Sequence, residues 1–380
     1  MKLYILQSDL IGPLQSVSRS IALRPQLPVL NNVLLQTEKD TLKISTTNLE
    51  IGVIKQINAE VMEEGSITIP AKIFTEIINS LPGERLNLEV SADQLKISTT
   101  SFSGTLNGIS ASEFPAIPLS SDESLEISAD LIQKSLPQIA FASAIDEARP
   151  TLTGIYTQIK DNSFELVATD GFRLAHKKVV TPQKNSHNFK FLIPRRTFEE
   201  VVRLIGEDIK GSSTSDTPLI SMSTSENQNQ IVFQIGTTQL SSRLIEGNYP
   251  TWEKIVPTTF QSHFEIDRNE FIKAIKLASV FARDGANVVK LEVDKTKMQI
   301  SSESHDLGAQ QTDLEIQNFE EVVKTEKMVI AFNNKYLLDP LQSCHSKTVK
   351  MSFSGNLSPA IITPVEEEGL RYVVMPIRIS

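Results

Sequence analysis

Cysteine, histidine and tryptophan are scarce in this sequence: its 380 residues include one cysteine, five histidines and one tryptophan. A single cysteine, Cys344, excludes an intrachain disulfide and a metal site built from several thiolates. No apolar run approaches the ~18 residues of a membrane-spanning helix. The apolar N-terminus is interrupted by Ser8 and Asp9, so no secretory signal is predicted. We therefore expect a cytoplasmic protein without a membrane partner.

The motifs of common catalytic sites are also missing. There is no Gly-rich phosphate-binding loop ending in Gly-Lys-Ser/Thr and no Gly-x-Ser-x-Gly nucleophile turn. The histidines are scattered, without the spacing of zinc ligands. Asp146 and Glu147 are adjacent carboxylates, which favours a solvated turn over a metal or acid/base site. Cys344 fits a half-buried apolar position. No catalytic residue, metal or cofactor is predicted.

The composition is that of a globular protein. Hydrophobic residues make up 40% and charged residues 22% of the chain, which excludes a mainly disordered protein. The length predicts two or three domains. The net charge of −9 by itself argues against nucleic-acid binding, because DNA attracts basic surfaces. It leaves open, however, where the 37 lysines and arginines lie.

A weak repeat divides the sequence into thirds. Amphipathic segments at 10–22, 131–144 and 271–282 are predicted as helices, and each precedes a β-rich stretch. A strand then leads into a second helix in each third. Pro70 and Pro194 mark two of these junctions and are separated by close to one third of the chain. Proline is tolerated in the first turn of a helix, because the N–H that it lacks has no partner there.

Three tandem domains follow from this repeat, with polar linkers at 116–126 and 257–263. Each domain has the order helix, strands, helix, strands, which predicts an α+β fold with mostly antiparallel sheets. The predicted domains are 1–120, 127–256 and 264–380.

Two apolar stretches are unusual. In the segment 167–175, Asp170-Gly171 predicts a turn, but Phe172 and Leu174 follow it at once. They fit either a hairpin corner with both side chains packed inward or an apolar notch that anchors a peptide. The C-terminal residues 372–378 are also apolar, which predicts a closing strand docked on the protein, because undocked termini fray.

Over essentially its whole length the sequence resembles the bacterial DNA polymerase III beta subunits, the sliding clamps. The resemblance implies three domains of two helices and two antiparallel sheets each, and a head-to-tail dimer that closes a six-domain ring with the helices lining the hole. Duplex DNA would pass through the ring without sequence-specific contacts. An acidic exterior with a basic lining would reconcile this function with the net charge. The motifs that carry the resemblance are Arg24–Leu30, Leu152–Gly154, Val167–Ala175, Ile193–Arg196, Glu246–Pro250 and Tyr372–Arg378.

The expected partners are duplex DNA, a second copy of the chain, and proteins that carry clamp-binding peptides. These proteins are the polymerase alpha subunit, the clamp loader delta subunit, other DNA polymerases and repair proteins. The subunit itself would be noncatalytic and would make the polymerase processive. Cations on or beside the lining helices are predicted to face DNA, with ordinary solvated helix charge as the alternative: Arg24, Lys72, Arg149, Arg195, Arg196, Lys273 and Lys276.

The resemblance also implies a subunit boundary that includes Leu106, Val280 and Phe281, for which an intradomain core position is the alternative. The family's peptide pocket maps onto Leu152, Thr169, Gly171, Phe172, Arg173, Leu174, Pro250, Lys254, Ile255, Val373, Val374, Met375, Pro376, Ile377 and Arg378.

Such a pocket would take a short extended motif containing Gln, Leu and Phe. Arg173 and Arg378 are expected to donate to the peptide. Phe172 replaces a histidine and Lys254 an arginine that are common in the family. The alternative is that the apolar residues of this set only plug a domain junction.

Two other classes of protein are alternatives to a sliding clamp. An enzyme on a repeat scaffold would show clustered titratable residues, and no such cluster is evident in the sequence. A secreted adhesion protein of tandem β domains would usually carry a signal peptide and disulfides, and both signals are missing here.

Overall fold

A computed structural model of the chain describes residues 1–21, 27–120, 124–211, 218–225, 229–282, 287–322 and 328–378, with the backbone alone at 182–187 and 210–211. Arg24, predicted to face DNA, lies outside these ranges. None of the helices within them is long and apolar enough to cross a bilayer.

The helices of the described ranges fall two to each predicted domain. They are α1 (Gln7–Ser18), α2 (Ala71–Ser80), α3 (Ala129–Ser135), α4 (Arg195–Gly211), α5 (Arg268–Phe281) and α6 (Asn334–Ser343). The strands are β1 (Lys2–Leu6), β2 (Asn32–Glu38), β3 (Thr41–Thr47), β4 (Ile51–Asn58), β5 (Glu60–Glu63), β6 (Gly65–Pro70), β7 (Arg85–Ser91), β8 (Gln94–Ser98), β9 (Ser103–Asn107), β10 (Ser124–Ser128), β11 (Gly154–Thr169), β12 (Arg173–Pro194), β13 (Leu219–Thr224), β14 (Gln230–Ile235), β15 (Thr238–Arg243), β16 (Ser262–Asp267), β17 (Val288–Val293), β18 (Lys297–Ser304), β19 (Gly308–Glu315), β20 (Gln317–Glu321), β21 (Met328–Asn333), β22 (Thr348–Phe353), β23 (Ala360–Pro364) and β24 (Leu370–Val374).

Local chemistry fixes where the helices begin. Pro70 stands at the N-cap of α2, as the strand-to-helix prediction requires. The side chain of Asp267 accepts a hydrogen bond from the Glu270 amide at 2.9 Å and caps α5. Asn333 caps α6 in the same way through the Lys335 amide, also at 2.9 Å. Helices α2 and α6, like α4 at Arg195, therefore begin at the strand-to-helix junctions that the sequence predicts.

The helix predicted over 131–144 is wrong in length. Helix α3 ends at Ser135, and the chain continues through a turn into a single 3₁₀ turn at Ala140–Ala142. Pro137 explains the early end, because proline disfavours helical backbone at the residue before it and provides no amide hydrogen.

The first compact unit comprises 1–133 and 196–244. It contains a five-stranded sheet in the order β5-β1-β7-β8-β9 and an eight-stranded sheet in the order β10-β13-β14-β15-β4-β3-β2-β6. Strand β15 pairs antiparallel with β4, with Leu240 opposite Val53. This pairing joins strands of the first and second predicted domains in one continuous sheet.

The second compact unit comprises 134–195 and 245–380. Its sheets have the orders β11-β12-β24-β23-β22-β16-β20 and β19-β18-β17-β21. Strand β24 pairs antiparallel with β12, with Leu174 opposite Val373. The C-terminal strand thus joins the second and third predicted domains, and its docking is confirmed. Antiparallel pairing, predicted from the order of elements, holds for the strand pairs of both units.

Strands extend into both predicted linkers. Strand β10 begins at Ser124, inside the linker predicted at 116–126, and β16 begins at Ser262, inside the linker at 257–263. Cys344 lies at the end of α6 and is fully buried. Burial raises the pKa of its thiol to about 11.

Candidate functional site

The turn between β11 and β12 is held by its own side chains. The Thr169 hydroxyl donates to the Arg173 carbonyl oxygen at 2.7 Å and accepts from the Gly171 amide at 3.0 Å. One carboxylate oxygen of Asp170 accepts from the amides of Phe172 and Arg173 at 2.9 and 3.0 Å. Gly171 has φ of +91°, a conformation that favours glycine. The predicted Asp-Gly turn is therefore present and rigidly held.

Arg173 is fixed beneath this turn and is only 8% exposed. Its guanidinium donates to the carboxylates of Asp170 and Asp339 and, at 2.9 Å, to the Phe141 carbonyl oxygen. It also lies 4.9 Å from the ring centroid of Tyr336 and 5.2 Å from that of Phe141. Three of its five N–H groups are thus used within the chain, where they hold the turn in position. Donation from Arg173 to a bound peptide stays a prediction.

Phe172 points away from the core, with 53% of its surface exposed. Its ring stacks on Tyr336 with centroids 6.0 Å apart and planes 15° apart. Its carbonyl oxygen accepts from the Met375 amide at 2.9 Å, and the Ile377 amide donates to the Ala331 carbonyl oxygen at 2.7 Å. The C-terminal tail is thus attached to the turn and to β21.

Asp170, Phe172, Arg173 and Tyr336 line a cleft of about 660 Å³. Its walls come from segment 143–152, the β11–β12 turn and the first turns of α6. Arg149, predicted to face DNA, also lines this cleft. Asp146 and Asp339 also reach it, so the cleft combines exposed Phe172 and half-buried Tyr336 with charges of both signs. Leu152 lies at its buried base.

The contribution of α6 to the cleft was not predicted. Tyr336 stacks on Phe172, and Asp339 pairs with Arg173. The sequence predicts the strand-to-helix junction at the start of α6. It does not predict that Asp339 of this helix contacts Arg173, which is 166 residues away in the chain. Burial raises the pKa of the Tyr336 phenol, and nearby Asp170 adds to this effect.

An apolar cluster includes residues of the same hairpin. It comprises Val167, Leu174, Trp252, Val256, Ile361 and Val373. Leu174 and Val373 are cross-strand neighbours and are buried. Of the other predicted pocket residues, Thr169 and Val374 are buried, and Met375, Pro376 and Ile377 are half-buried. The exposed ones are Gly171, Pro250, Lys254, Ile255 and Arg378.

The predicted DNA-facing cations lie in several places. Lys72 and Arg196 are exposed in the first turns of α2 and α4, and Arg195, beside Arg196, is half-buried. Lys273 and Lys276 are exposed on α5.

The predicted subunit-boundary residues lie at accessible places. Leu106 is half-buried on β9, the outermost strand of its sheet. Val280 is exposed and Phe281 half-buried at the C-terminal end of α5.

No group of three or more metal-ligating side chains occurs in the described ranges. The buried His176 is instead part of a structural network. Its Nε2 atom lies 2.7 Å from the Glu165 carboxylate, and its ring packs on Trp252 with centroids 4.7 Å apart. The hydrogen bond to His176 lowers the pKa of Glu165.

Three family models cover the chain in order. The N-terminal, central and C-terminal domain models of the DNA polymerase III beta subunit match residues 1–118, 126–251 and 253–378. The chain is 31% identical to the beta sliding clamp of Synechococcus elongatus and 28% identical to that of Staphylococcus epidermidis. The first alignment covers all of both chains; the second covers all of this chain and 99% of the relative.

Solved structures agree with these relatives. The sliding clamp of Bacillus subtilis superposes with a TM-score of 0.92 at 26% identity, and the beta subunit of Thermotoga maritima with 0.86 at 27%, each over the whole of both chains. The fold is thus that of three sliding-clamp domains in tandem. The chain belongs to the DNA polymerase III beta subunit family, the sliding clamps.

Proposed function

We propose that this chain is a replication clamp: a dimeric ring that encircles duplex DNA and tethers a DNA polymerase to it. The observation that carries the proposal is the match of all three beta-subunit domains, in order and over nearly the whole chain. Members of this family are processivity subunits and perform no chemistry of their own. Because the ligand is chromosomal DNA, the site of action is the bacterial cytoplasm.

The ring would consist of two copies of the domains 1–120, 127–256 and 264–380. Leu106 would contribute to closure from edge strand β9, because an outermost strand leaves backbone groups available to a partner chain. Val280 and Phe281 supply apolar surface at the end of α5, where they support a contact with the second copy.

DNA would be held by Lys72, Arg195, Arg196, Lys273, Lys276 and Arg24 through phosphate contacts alone. Such contacts are weak, sensitive to salt and independent of sequence, so the ring slides. We assign Arg149 to the peptide cleft rather than to DNA, because it lines the same cleft as Phe172.

Partner proteins would bind through extended peptides containing Gln, Leu and Phe. Polymerase alpha and clamp loader delta subunits, other polymerases and repair proteins are the expected carriers. Exposed Phe172, stacked on Tyr336, is available to an apolar anchor of such a peptide. Leu174 and Val373 support the pocket from the apolar cluster beneath it.

The direct experiment compares retention of the clamp on circular and linear DNA. A clamp loaded on nicked circular plasmid should remain bound through gel filtration in high salt, and linearisation should release it. Equal loss from circular and linear DNA would contradict an encircling ring. A Phe172→Ala clamp placed on DNA should slide normally but bind the peptide much more weakly, which separates the two sites.

A further inference from the structure

A second cleft, of about 570 Å³, lies on one face of the seven-stranded sheet. Segment 253–260 forms one wall, and strands β22, β23 and β24 form its floor. None of its lining residues belongs to the predicted DNA, peptide or subunit contacts.

The strand register places two cations on the floor of this cleft. Lys350 on β22 lies opposite Thr363 on β23. Ile362 lies opposite Tyr372, so Arg371 on β24 falls beside Thr363 at the next step. Lys350 and Arg371 are therefore two strands apart, roughly 9.5 Å between backbones, and all three side chains line the cleft. Their long side chains can converge on one anion above Thr363.

The guanidinium of Arg371 is held in position by His176 and Trp252. Its Nε donates to Nδ1 of His176 at 2.9 Å, and its guanidinium carbon lies 5.9 Å from the Trp252 ring centroid. Within the part of the chain that the structure describes, its terminal nitrogens have no hydrogen-bond or ion-pair partner. A guanidinium fixed through Nε loses little conformational entropy when it binds an oxyanion.

Lys350 is likewise unpaired within the described ranges, although acidic residues are near. Glu265 is its neighbour on β16, but that carboxylate accepts a hydrogen bond from the Asn318 amide at 2.7 Å. Glu253 lies in the opposite wall of the cleft. Arg371 acts electrostatically on Glu165, but neither Lys350 nor Arg371 forms an ion pair within the described ranges. Two such cations in one cleft, on a chain of net charge −9, favour a ligand that carries a negative charge.

The walls point to a peptide rather than a free ion. Val256 and Ile361 line this cleft and also belong to the apolar cluster that contains Leu174 and Val373. Phe260 adds a half-buried ring packed against that cluster. The second cleft therefore shares its apolar wall with the base of the peptide pocket.

We propose that the Lys350–Arg371 cleft binds an aspartate or glutamate side chain that flanks the apolar motif of a partner peptide. This inference rests on the proposed function. Lys350 and the terminal nitrogens of Arg371 donate to the carboxylate, and the Thr363 hydroxyl donates from the floor. The apolar wall packs against the methylene groups of the ligand. The cleft would thus select among peptides that share the same apolar motif.

The test uses fluorescent synthetic peptides and the full-length dimer. Each peptide carries Gln, Leu and Phe, a short Gly-Ser spacer, and either two glutamates or two glutamines, placed before the motif in one pair and after it in the other. In about 50 mM salt, the glutamate peptide of one pair should bind about fivefold more tightly than its glutamine partner, the range expected for a few accessible charge pairs.

Lys350→Gln should remove the glutamate preference without weakening the glutamine peptide, and Lys350→Arg should retain it. Lys347→Gln, an exposed lysine just before β22 and outside the cleft, is the matched control and should change nothing.

Equal affinities within both pairs, or a preference that survives Lys350→Gln, would overturn the inference and leave the peptide pocket intact. Competition by inorganic phosphate without a glutamate preference would assign the cleft to free phosphate and also overturn it. No binding of any of these peptides would instead overturn the proposed peptide docking, and this inference with it.

Discussion

Arg371 donates from Nε to the Nδ1 atom of His176 at 2.9 Å. Because Nδ1 must accept this bond, the proton of the neutral imidazole lies on Nε2, which faces Glu165 at 2.7 Å. Strands β11, β12 and β24 are thereby connected by a chain of three polar side chains.

Protonation of the Glu165 carboxylate should lower the stability of the folded protein in acid. Its pKa is lowered in the folded protein, chiefly by the hydrogen bond to His176. Its contribution is therefore present above the ordinary pKa of ~4.3 and is lost as the pH falls through the lower folded value. Glu165→Gln keeps an oxygen acceptor but does not titrate, so its melting temperature should fall less steeply than that of the wild type between about pH 5 and 3. The same decrease of melting temperature with pH in both proteins would contradict this role.

Arg173 should be a major stabilising residue near the cleft. Arg173→Met leaves the Asp170 and Asp339 carboxylates without their cation, which should cost about 3 kcal/mol of unfolding free energy. Denaturant unfolding followed by fluorescence measures this loss. Asp339→Asn should cost much less when combined with Arg173→Met than it does alone, because the partner charge is already gone. Additive losses would show that the pair does not interact.

Phe172→Ala should separate peptide binding from stability. The exposed ring buries little on folding, so we expect a melting temperature within a few degrees of the wild type. A hot-spot anchor residue contributes about 2 kcal/mol or more, so affinity for the Gln/Leu/Phe peptide should fall about thirtyfold or more. Val180→Ala, which removes an exposed side chain elsewhere on β12, is the control. Unchanged affinity in Phe172→Ala would remove this residue from the pocket.

The α5 lysines should determine part of the salt dependence of DNA binding. Lys273→Gln combined with Lys276→Gln should lower the magnitude of the slope of log affinity against log salt by about two. Lys295→Gln, exposed in the β17–β18 turn, should leave the slope unchanged. The measurement is fluorescence anisotropy with a short duplex at several salt concentrations. An unaltered slope in the double variant would place these lysines away from the DNA.

Phe281→Ala should open the ring by weakening the association of two copies. Sedimentation velocity at sub-micromolar concentration should show a monomer that retains wild-type circular dichroism. Leu106→Ala should have the same effect from the other side of the contact. A stable dimer in both variants would contradict this contact and favour the alternative, in which Phe281 packs in the core of its own domain.

Sequence reasoning was accurate where the signal is local. The starts of α2, α4 and α6, the Asp170-Gly171 turn and the docked tail all follow from residues within one turn or one strand of each other. The end of helix α3 can also be predicted from a local signal, because Pro137 disfavours helical backbone at the residue before it. These features depend on backbone chemistry that acts over a few residues.

The details of the cleft could not be predicted because they depend on distant pairings. The partners of Arg173 include Asp339, and the ring beside Phe172 belongs to Tyr336. Which cations meet in the second cleft depends on the register of β22, β23 and β24, and a shift of one residue would turn Lys350 to the opposite face. Sequence spacing carries none of this information.

The burial of Cys344 has a consequence for labelling chemistry. Thiol-specific reagents attack the thiolate, and a buried thiol with a pKa of about 11 is almost entirely protonated and inaccessible at neutral pH. The folded protein thus has no reactive thiol of its own. In a Leu277→Cys variant, the introduced cysteine replaces an exposed leucine and would be the sole site for a maleimide dye. Association of two copies could then be followed by fluorescence without loss of a proposed DNA contact.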